Sequence, residues 1–440
     1  MRLQLLDDSV RFSCGSCTAC CDQPWRTMIE ADRAHALDRH DFSAYPELAG
    51  KILYHKPSDG RTGFYELAKG DGTRCLFLGR DGLCIIHKEM GPQAKPSMCR
   101  QFPFLPVRTS SDDRVSVNFG CSAVQQQSGQ RLSEQTDEIS ATVAVSKQPV
   151  DSDAPIWLDR KCRLTRAEGD ALIERFLALF DDRHAHDVWT PFAEVLDLIG
   201  TVQARKSQSS ASAESGDLMS RLPSDESPAG VKESSPVQAF RNPGGAPMPA
   251  RMLFAATLYP DTVAADATSG KGFVQRLMQI PKLLTLATLS GGYASRLLGR
   301  NVSITQVLTH EVDAELDSDA TALLLRYYRS RFWQRMIMVT KLPIVGGVHQ
   351  HICDLNAILF LARAEAAAQD RRRLSADLIR QALTRVEFHL ANQVRLYDHT
   401  LKGWFTSQLC DIEMAAQSLR LMALRRAPEP AERPVDSPRP

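Results

Sequence analysis

Eight cysteines within the first 121 residues carry the clearest chemistry in this sequence. Four thiols fall within eight residues, in the spacing C-x2-C-x2-C-C: Cys14, Cys17, Cys20 and Cys21. The other four follow at wider intervals: Cys75, Cys84, Cys99 and Cys121. Thiolates are soft, charged ligands, and several together need a cation to offset their repulsion. Because scattered core cysteines do not cluster in this way, the sequence predicts metal binding in this region.

The spacing is compatible with two kinds of metal. A tight turn at C-x2-C points two sulfurs at one ion, as in structural zinc sites. Three thiols at x2 and x2 spacing also match the run that holds three irons of a [4Fe–4S] cluster, whose fourth ligand is a remote cysteine. That fourth ligand could be Cys75, Cys84, Cys99 or Cys121. An iron–sulfur cluster and zinc are therefore both predicted occupants.

Cys21 directly follows Cys20, and side chains of adjacent residues diverge. We therefore expect Cys20 and Cys21 to serve different centres, or one of them not to be a ligand. Eight thiols make two sets of four, so one interpretation is two sites in one domain. The other is a single cluster beside a reactive or structural thiol pair.

Composition and charge exclude several classes of function. The chain has 440 residues, and its 53 Lys and Arg nearly balance 52 Asp and Glu. This balance shows no electrostatic footprint for nucleic acid or an anionic membrane. No signal peptide is evident, and no uninterrupted apolar stretch reaches the roughly 18 residues of a membrane span. We predict a cytoplasmic protein, where reduced thiols favour metal binding over disulfides.

The residues around the thiols predict a small Cys-rich α+β metal-binding domain over 1–150. Asp81-Gly82 lies between two apolar runs, which predicts a hairpin that brings Cys75 and Cys84 together. Pro103 and Pro106 are expected to stop regular structure. The other predicted elements are a helix over 27–40 opened by a Thr27–Glu30 capping box, strands over 63–67 and 114–119, and a helical turn over 95–99.

A mainly α-helical domain is predicted for the rest of the chain. Thr165 and Glu168 form a capping-box pattern for a helix that ends near residue 180, and a second helix is expected over 186–203. Apolar residues then recur every three or four positions in several stretches. The predicted divisions are a helical segment at 151–204, a disordered linker or loop insertion at 205–250, an all-α domain at 251–425 and a disordered tail at 426–440.

Two other groups of residues include side chains that can bind metal. His349, His351 and Cys353 fall on a helical pattern that separates them, so we interpret them as the solvated start of a helix. His184 and His186 have the same interpretation. Arg100 follows Cys99 and is either a surface residue or a cation that offsets the charge of a thiolate cluster.

The cysteine pattern resembles the CxxCxxCC family, a zinc- or iron-chelating domain. After the N-terminal run, that family has two further cysteine elements, which here read Cys75-Leu76-Phe77-Leu78 and Cys84-Ile85-Ile86-His87. It then has a Pro-x-x-Cys-Arg-x-Phe-Pro element, here residues 96–103, and a final cysteine, here Cys121. The resemblance covers about 11–122. It implies that the metal ligands are Cys14, Cys17, Cys20, Cys21, Cys75, Cys84, Cys99 and Cys121.

The same family includes bacterial flagellin lysine-N-methylases, which join a Cys-rich N-terminal part to a long helical part. The resemblance therefore implies an alternative function, a protein-lysine N-methylase that uses S-adenosylmethionine and acts on flagellin or a similar protein. No strand-anchored G-x-G-x-x-G and no C-x3-C-x2-C run is present in the sequence. A third interpretation is a zinc-stapled module that binds a protein partner.

Overall fold

The chain divides into two compact units, each assembled from segments that are distant in sequence. The first unit contains Met1–Ala154, Arg326–Lys341 and Leu383–Asn392, and the remaining segments form the second. The predicted domain over 1–150 did not include the two C-terminal segments. The computed structural model describes residues 2–6, 10–15, 17–23, 25–57, 60–109, 112–144, 150–151, 156–181, 187–209, 246–258, 283–313, 315–335, 342–389 and 402–422.

The first unit is a mixture of short strands and short helices. Its strands include β1 (Arg2–Leu5), β2 (Arg11–Phe12), β3 (Met28–Glu30), β4 (Tyr54–His55), β5 (Phe64–Leu67), β6 (Phe104–Arg108), β7 (Asp112–Val117) and β8 (Gln130–Arg131). Its helices include α1 (Ala31–Arg39), α2 (Ile85–Met90), α3 (Ser97–Gln101), α4 (Ser122–Gln125) and α5 (Thr136–Ala144). The strands pair in the orders β1-β7-β6, β3-β5-β4 and β2-β8. The α+β class predicted for the Cys-rich part is therefore confirmed.

The start of α1 differs from the prediction. Residues Met28–Glu30 form a strand, because the Leu67 amide donates to the Thr27 carbonyl at 2.8 Å and extends the β3-β5 pairing. The Glu30 side chain does not cap the helix. Its carboxylate instead accepts from Arg33 and from the backbone amide of Ser97. A long-range contact thus replaced the predicted capping box.

Regular structure also continues past Pro103, contrary to the prediction. Strand β6 contains Pro106, which is paired with Val115 of β7. β6 lies at the edge of its sheet, where a residue without an amide hydrogen leaves no neighbouring strand unpaired. The strand predicted near 114–119 is confirmed as β7, and Cys121 follows it as expected.

The C-terminal segments of the first unit pack directly on the β7 region. The ring of Tyr327 meets that of Phe119 at a centroid distance of 5.5 Å, and both side chains are fully buried. The Ser116 hydroxyl donates to the Ser330 carbonyl at 3.2 Å. A hydrogen bond of 2.8 Å from the Tyr327 hydroxyl to the Glu387 carboxylate joins the two segments to each other. These contacts make the segments that begin at Arg326 and Leu383 part of the Cys-rich fold.

The backbone at Gly129 lies close against Ser13, the residue before Cys14. Its φ is +97°, and a Cβ there would lie 2.3 Å from the side chain of Ser13. We expect Gly129→Ala to destabilise the first unit by more than about 1 kcal/mol, through strain and the clash together. Gly50→Ala is the matched control, since φ is +68° there but nothing lies within 4 Å. Denaturant unfolding that ranks the two variants equally would contradict the close approach.

The second unit is mainly helical, as predicted. Its first strands and helices include β9 (Ile156–Trp157), β10 (Arg163–Leu164), α6 (Arg166–Leu179), α7 (Trp189–Ser209) and α8 (Met248–Leu258). These are followed by β11 (Gly292–Ser295), β12 (Arg300–Ser303), α9 (Ile304–Thr309), α10 (Ser318–Trp333), α11 (Ile344–Ala368), α12 (Ala376–His389), α13 (Lys402–Leu409) and α14 (Ile412–Leu419). The C-terminal halves of α10 and α12 belong to the first unit.

Several boundaries of this part need correction. The capping box of Thr165 with Glu168 is present at the start of α6. The antiparallel pair β11-β12 interrupts the region predicted as all-α. The predicted linker at 205–250 is wrong at both ends, since α7 runs to Ser209 and α8 begins at Met248. The middle of that linker, the predicted tail at 426–440 and the His184–His186 pair lie outside the described residues.

α11 is the central helix of the second unit and packs against α8, α13 and α14. Among the described residues it alone is long and apolar enough to cross a membrane, yet 94% of its apolar window is buried inside the protein. The sequence predicted no such helix because only uninterrupted apolar residues were counted. α11 contains buried polar side chains such as Asp354 and Asn356, and these broke the uninterrupted run in the sequence.

His349 lies in this helix and is buried, so the prediction of a solvated histidine was wrong. Its Nδ1–H donates to the Leu409 carbonyl at 3.2 Å, and its Nε2 accepts from the Ser418 hydroxyl at 2.8 Å. Both ring nitrogens of the neutral imidazole therefore have a hydrogen-bond partner. Burial lowers the pKa of His349 to about 4, against smaller opposing effects of the Leu409 carbonyl and Asp411.

We therefore expect the second unit to lose stability in mild acid. The unfolded chain takes up a proton near pH 6.5 and the folded chain only near pH 4, so the stabilisation is complete above pH 6.5 and falls between these values. The full loss is about 3 kcal/mol, since each pKa unit corresponds to about 1.4 kcal/mol. Urea unfolding from pH 7 to pH 4 measures it. His349→Gln should flatten that dependence, and an unchanged slope would contradict the assignment.

Candidate metal centre

The first four cysteines lie on a loop between β2 and β3. Thr18 has a φ of +64°, and its carbonyl accepts from the amide of Cys21 at 2.8 Å, which makes a tight turn. Cys14 and Cys17 are exposed, whereas Cys20 and Cys21 are half-buried with their sulfurs 4.0 Å apart. The loop thus passes from solvent towards the interior between its second and third thiol.

Cys75 and Cys84 are brought to this loop by backbone pairing. The amide of Cys75 donates to the carbonyl of Cys21 at 2.8 Å. An isolated bridge joins Leu78 to Cys84, and both thiols pack on the hydrophobic core that contains Phe77 and Ile86. The predicted proximity of Cys75 and Cys84 is therefore present.

The predicted hairpin that was to produce this proximity is wrong. Residues Ile85–Met90 form helix α2 instead of a second strand, and the segment after Cys75 turns instead of extending. The Asp81 side chain caps the loop by accepting from the Leu83 amide at 3.0 Å. A chain reversal at Asp81-Gly82 exists, but it leads from a turn into a helix.

Cys99 completes a set with Cys21, Cys75 and Cys84. Burial raises the pKa of Cys99, and the neighbouring thiolates of Cys75, Cys21 and Cys84 raise it further. The pKa of Cys75 is about 11 for the same reasons, burial first and then Cys21 and Cys84, although the Phe77 amide donates to its sulfur. We name these four thiols the core set.

The remaining four thiols interact with one another. Burial raises the pKa of Cys121, and so do the thiolates of Cys17 and Cys14. The hydroxyl of Ser122, the residue after Cys121, donates to the Cys17 sulfur at 3.1 Å. The pKa of Cys20 is raised by its hydrogen bond to Cys21, by burial, and then by Cys21, Cys17 and Cys14. We name Cys14, Cys17, Cys20 and Cys121 the rim set.

Three cations lie at the core set. The pKa of Cys21 is lowered to about 7, first by the hydrogen bond from Cys20 and then, against burial, by Lys95, Lys69 and Arg74. Lys69 is held by the Gln23 carbonyl at 3.0 Å, and Arg74 by the Gly79 carbonyl at 2.9 Å. These cations were not predicted. The only sequence signal is that Arg74 adjoins Cys75.

Arg100 has partners other than sulfur. Its guanidinium donates to Gln93 and, at 3.4 Å, to the Ser97 hydroxyl. His349, His351 and Cys353 lie along α11 in the second unit and are not part of either thiol set.

The donor set fits a thiophilic metal. Eight thiols in two groups, one with cations beside it, match the demand of a metal–thiolate centre for soft ligands and compensated charge. Among the residues that the structure describes, no three ligating side chains lie close enough together to hold an ion as they stand. The sulfurs of either set would have to approach one another to hold an ion.

The comparison with protein families agrees with this site. Residues 13–134 match the model of the CxxCxxCC family, whose description reads "putative zinc- or iron-chelating domain". The matched residues include all eight cysteines of the core and rim sets. No curated protein matches the chain, and no solved structure matches it either. Lysine methylation, S-adenosylmethionine and a flagellin-like substrate stay predictions, because the matched description concerns chelation alone.

Proposed function

We propose that this protein is a cytoplasmic metal-cluster protein whose N-terminal cysteines bind an iron–sulfur cluster. The observation that carries the proposal is that eight free thiols from distant segments of the chain lie in one compact unit. Iron–sulfur is favoured over zinc by the C-x2-C-x2-C run, the spacing that holds three irons of a [4Fe–4S] cluster. Zinc is the alternative occupant, since all-cysteine sites accept it too.

The protein's own residues supply what such a centre needs. Thiolates bind the metal, and backbone amides donate to their sulfurs, as Phe77 does to Cys75 and Val124 does to Cys121. Lys69, Arg74 and Lys95 offset negative charge at the core set. An iron–sulfur cluster, when bound, supplies one-electron redox chemistry whose potential depends on such hydrogen bonds and charges.

Metal analysis of protein purified without oxygen tests the proposal. We expect iron with matching acid-labile sulfide and a broad brown visible absorbance. Colourless protein with stoichiometric zinc would replace the iron–sulfur assignment by a zinc one. Protein that retains neither metal, and takes up neither on reconstitution, would overturn metal binding itself.

A further inference from the structure

We infer that the domain holds two separate four-thiol metal sites, with the chain passing from one to the other at the Cys20–Cys21 bond. The rim site consists of Cys14, Cys17, Cys20 and Cys121, and the core site of Cys21, Cys75, Cys84 and Cys99. This inference rests on the proposed metal binding and adds which thiols share an ion. It also assigns Cys121 as the remote fourth partner of the C-x2-C-x2-C run.

Backbone geometry supports the core site. The Cys21 carbonyl accepts from the Cys75 amide at 2.8 Å, and the Cys75 carbonyl accepts from the Leu78 amide at 3.1 Å. Leu78 is bridged to Cys84, so three of the four thiols lie on one hydrogen-bonded network. The fourth thiol belongs to α3, which is joined to β3 by a 3.1 Å hydrogen bond from the Met28 amide to the Met98 sulfur.

The rim site has different neighbours. Ser122 bonds the Cys17 sulfur and so places the end of the C-x2-C turn next to Cys121. Gly129 contacts Ser13 and brings the chain after Cys121 to the residue before Cys14. Cys14 and Cys17 are exposed, Cys20 is half-buried and Cys121 is buried, whereas all four core thiols are half-buried. Solvent and small molecules can therefore reach the rim site through two of its thiols, and no core thiol is exposed to the same degree.

The contact between the Cys20 and Cys21 sulfurs raises the question of whether these two thiols share one ion. Thiolates on one tetrahedral zinc ion lie about 3.8 Å apart, given a Zn–S bond of about 2.3 Å. The observed 4.0 Å would by itself permit a shared ion. Two neighbouring ions are favoured because the backbone joins Cys21 to Cys75 at 2.8 Å. Cys17, by contrast, is bonded by Ser122 beside Cys121.

The experiment loads the full-length, metal-stripped protein with Zn²⁺ and follows its release to a chromogenic chelator. We expect about two zinc ions per chain, one released quickly from the rim site and one slowly from the core site. Cys14→Ser should lower the count to about one and remove only the fast phase. Cys84→Ser should remove the slow phase, and the half-exposed Cys162→Ser in the second unit is the matched control.

Two further variants locate the division. Cys20→Ser should remove the fast phase, and Cys21→Ser the slow one; the reverse assignment would overturn the division at this bond. A single ion in the unaltered protein, or loss of both ions from Cys14→Ser, would overturn the two-site inference and leave metal binding intact. If Cys84→Ser does not fold, Cys14→Ser decides alone, because its thiol is exposed and one slow ion must remain. Failure of the unaltered protein to bind zinc or iron would instead overturn the proposed function.

Discussion

Replacing Cys84 with Ser is expected to remove most of the stability of the Cys-rich part of the first unit. The core set joins four segments: the loop at Cys21, the turn at Cys75, the start of α2 at Cys84, and α3 at Cys99. Cys75 and Cys84 pack on a hydrophobic core that includes Ile29, Phe77 and Ile86. Around them the chain has turns and isolated bridges, so we expect a metal staple to supply much of the order.

The magnitude follows from comparing two free energies. Structural zinc in small domains binds with about 10–16 kcal/mol, and that binding energy is folding energy because the unfolded chain has no site. Whole domains are stable by only about 5–15 kcal/mol. Loss of the core ion therefore removes most of the stability of this region.

Thermal unfolding and protease resistance of the metal-loaded full-length protein measure the effect. Cys14→Ser is the informative comparison, because its thiol is exposed and its loss should be milder. Cys162→Ser should behave like the unaltered protein. Equal melting of Cys84→Ser and Cys162→Ser would show that the core set does not staple the fold.

Local signals predicted those elements whose stabilising contacts are local. The capping box of Thr165 and Glu168 formed because both partners lie within one helical turn. The same pattern at Thr27 and Glu30 failed because a strand and the Ser97 amide competed for those groups. Pro106 was compatible with a strand because that strand is an edge, which the sequence alone does not reveal.

The sequence indicated eight cysteines as candidate ligands but not how they group. It left open two centres or one cluster beside a thiol pair. Which thiols lie together depends on contacts between segments far apart in sequence, such as Cys21 with Cys75 and Cys17 with Ser122. The cations at the core set could not be predicted for the same reason. Nothing in the sequence marks Lys69 and Lys95, and the fold brings their charges near Cys21.

The second large effect is expected on truncation, because the C-terminal segments complete the first unit. A chain that stops at residue 154 lacks Tyr327 and Phe332, which are fully buried, and Phe388, whose ring packs on Gly120 just before Cys121. It also lacks the Trp333 ring, over which the Arg114 guanidinium lies at 4.6 Å. We expect this fragment not to fold, although the sequence predicted a domain over 1–150.

The size of this effect is set by aromatic burial. Removing one buried Phe or Trp side chain typically costs about 3–5 kcal/mol, so losing several exceeds the stability of a domain of this size. Near-ultraviolet circular dichroism and zinc uptake of the fragment measure the outcome. In the full-length chain, Phe332→Ala should lower stability by about 3–5 kcal/mol. Tyr327→Phe should cost about 1–3 kcal/mol, because it leaves the buried Glu387 carboxylate without its 2.8 Å donor. A fragment with cooperative unfolding and full zinc uptake would show that the thiol sets and their strands suffice for the fold.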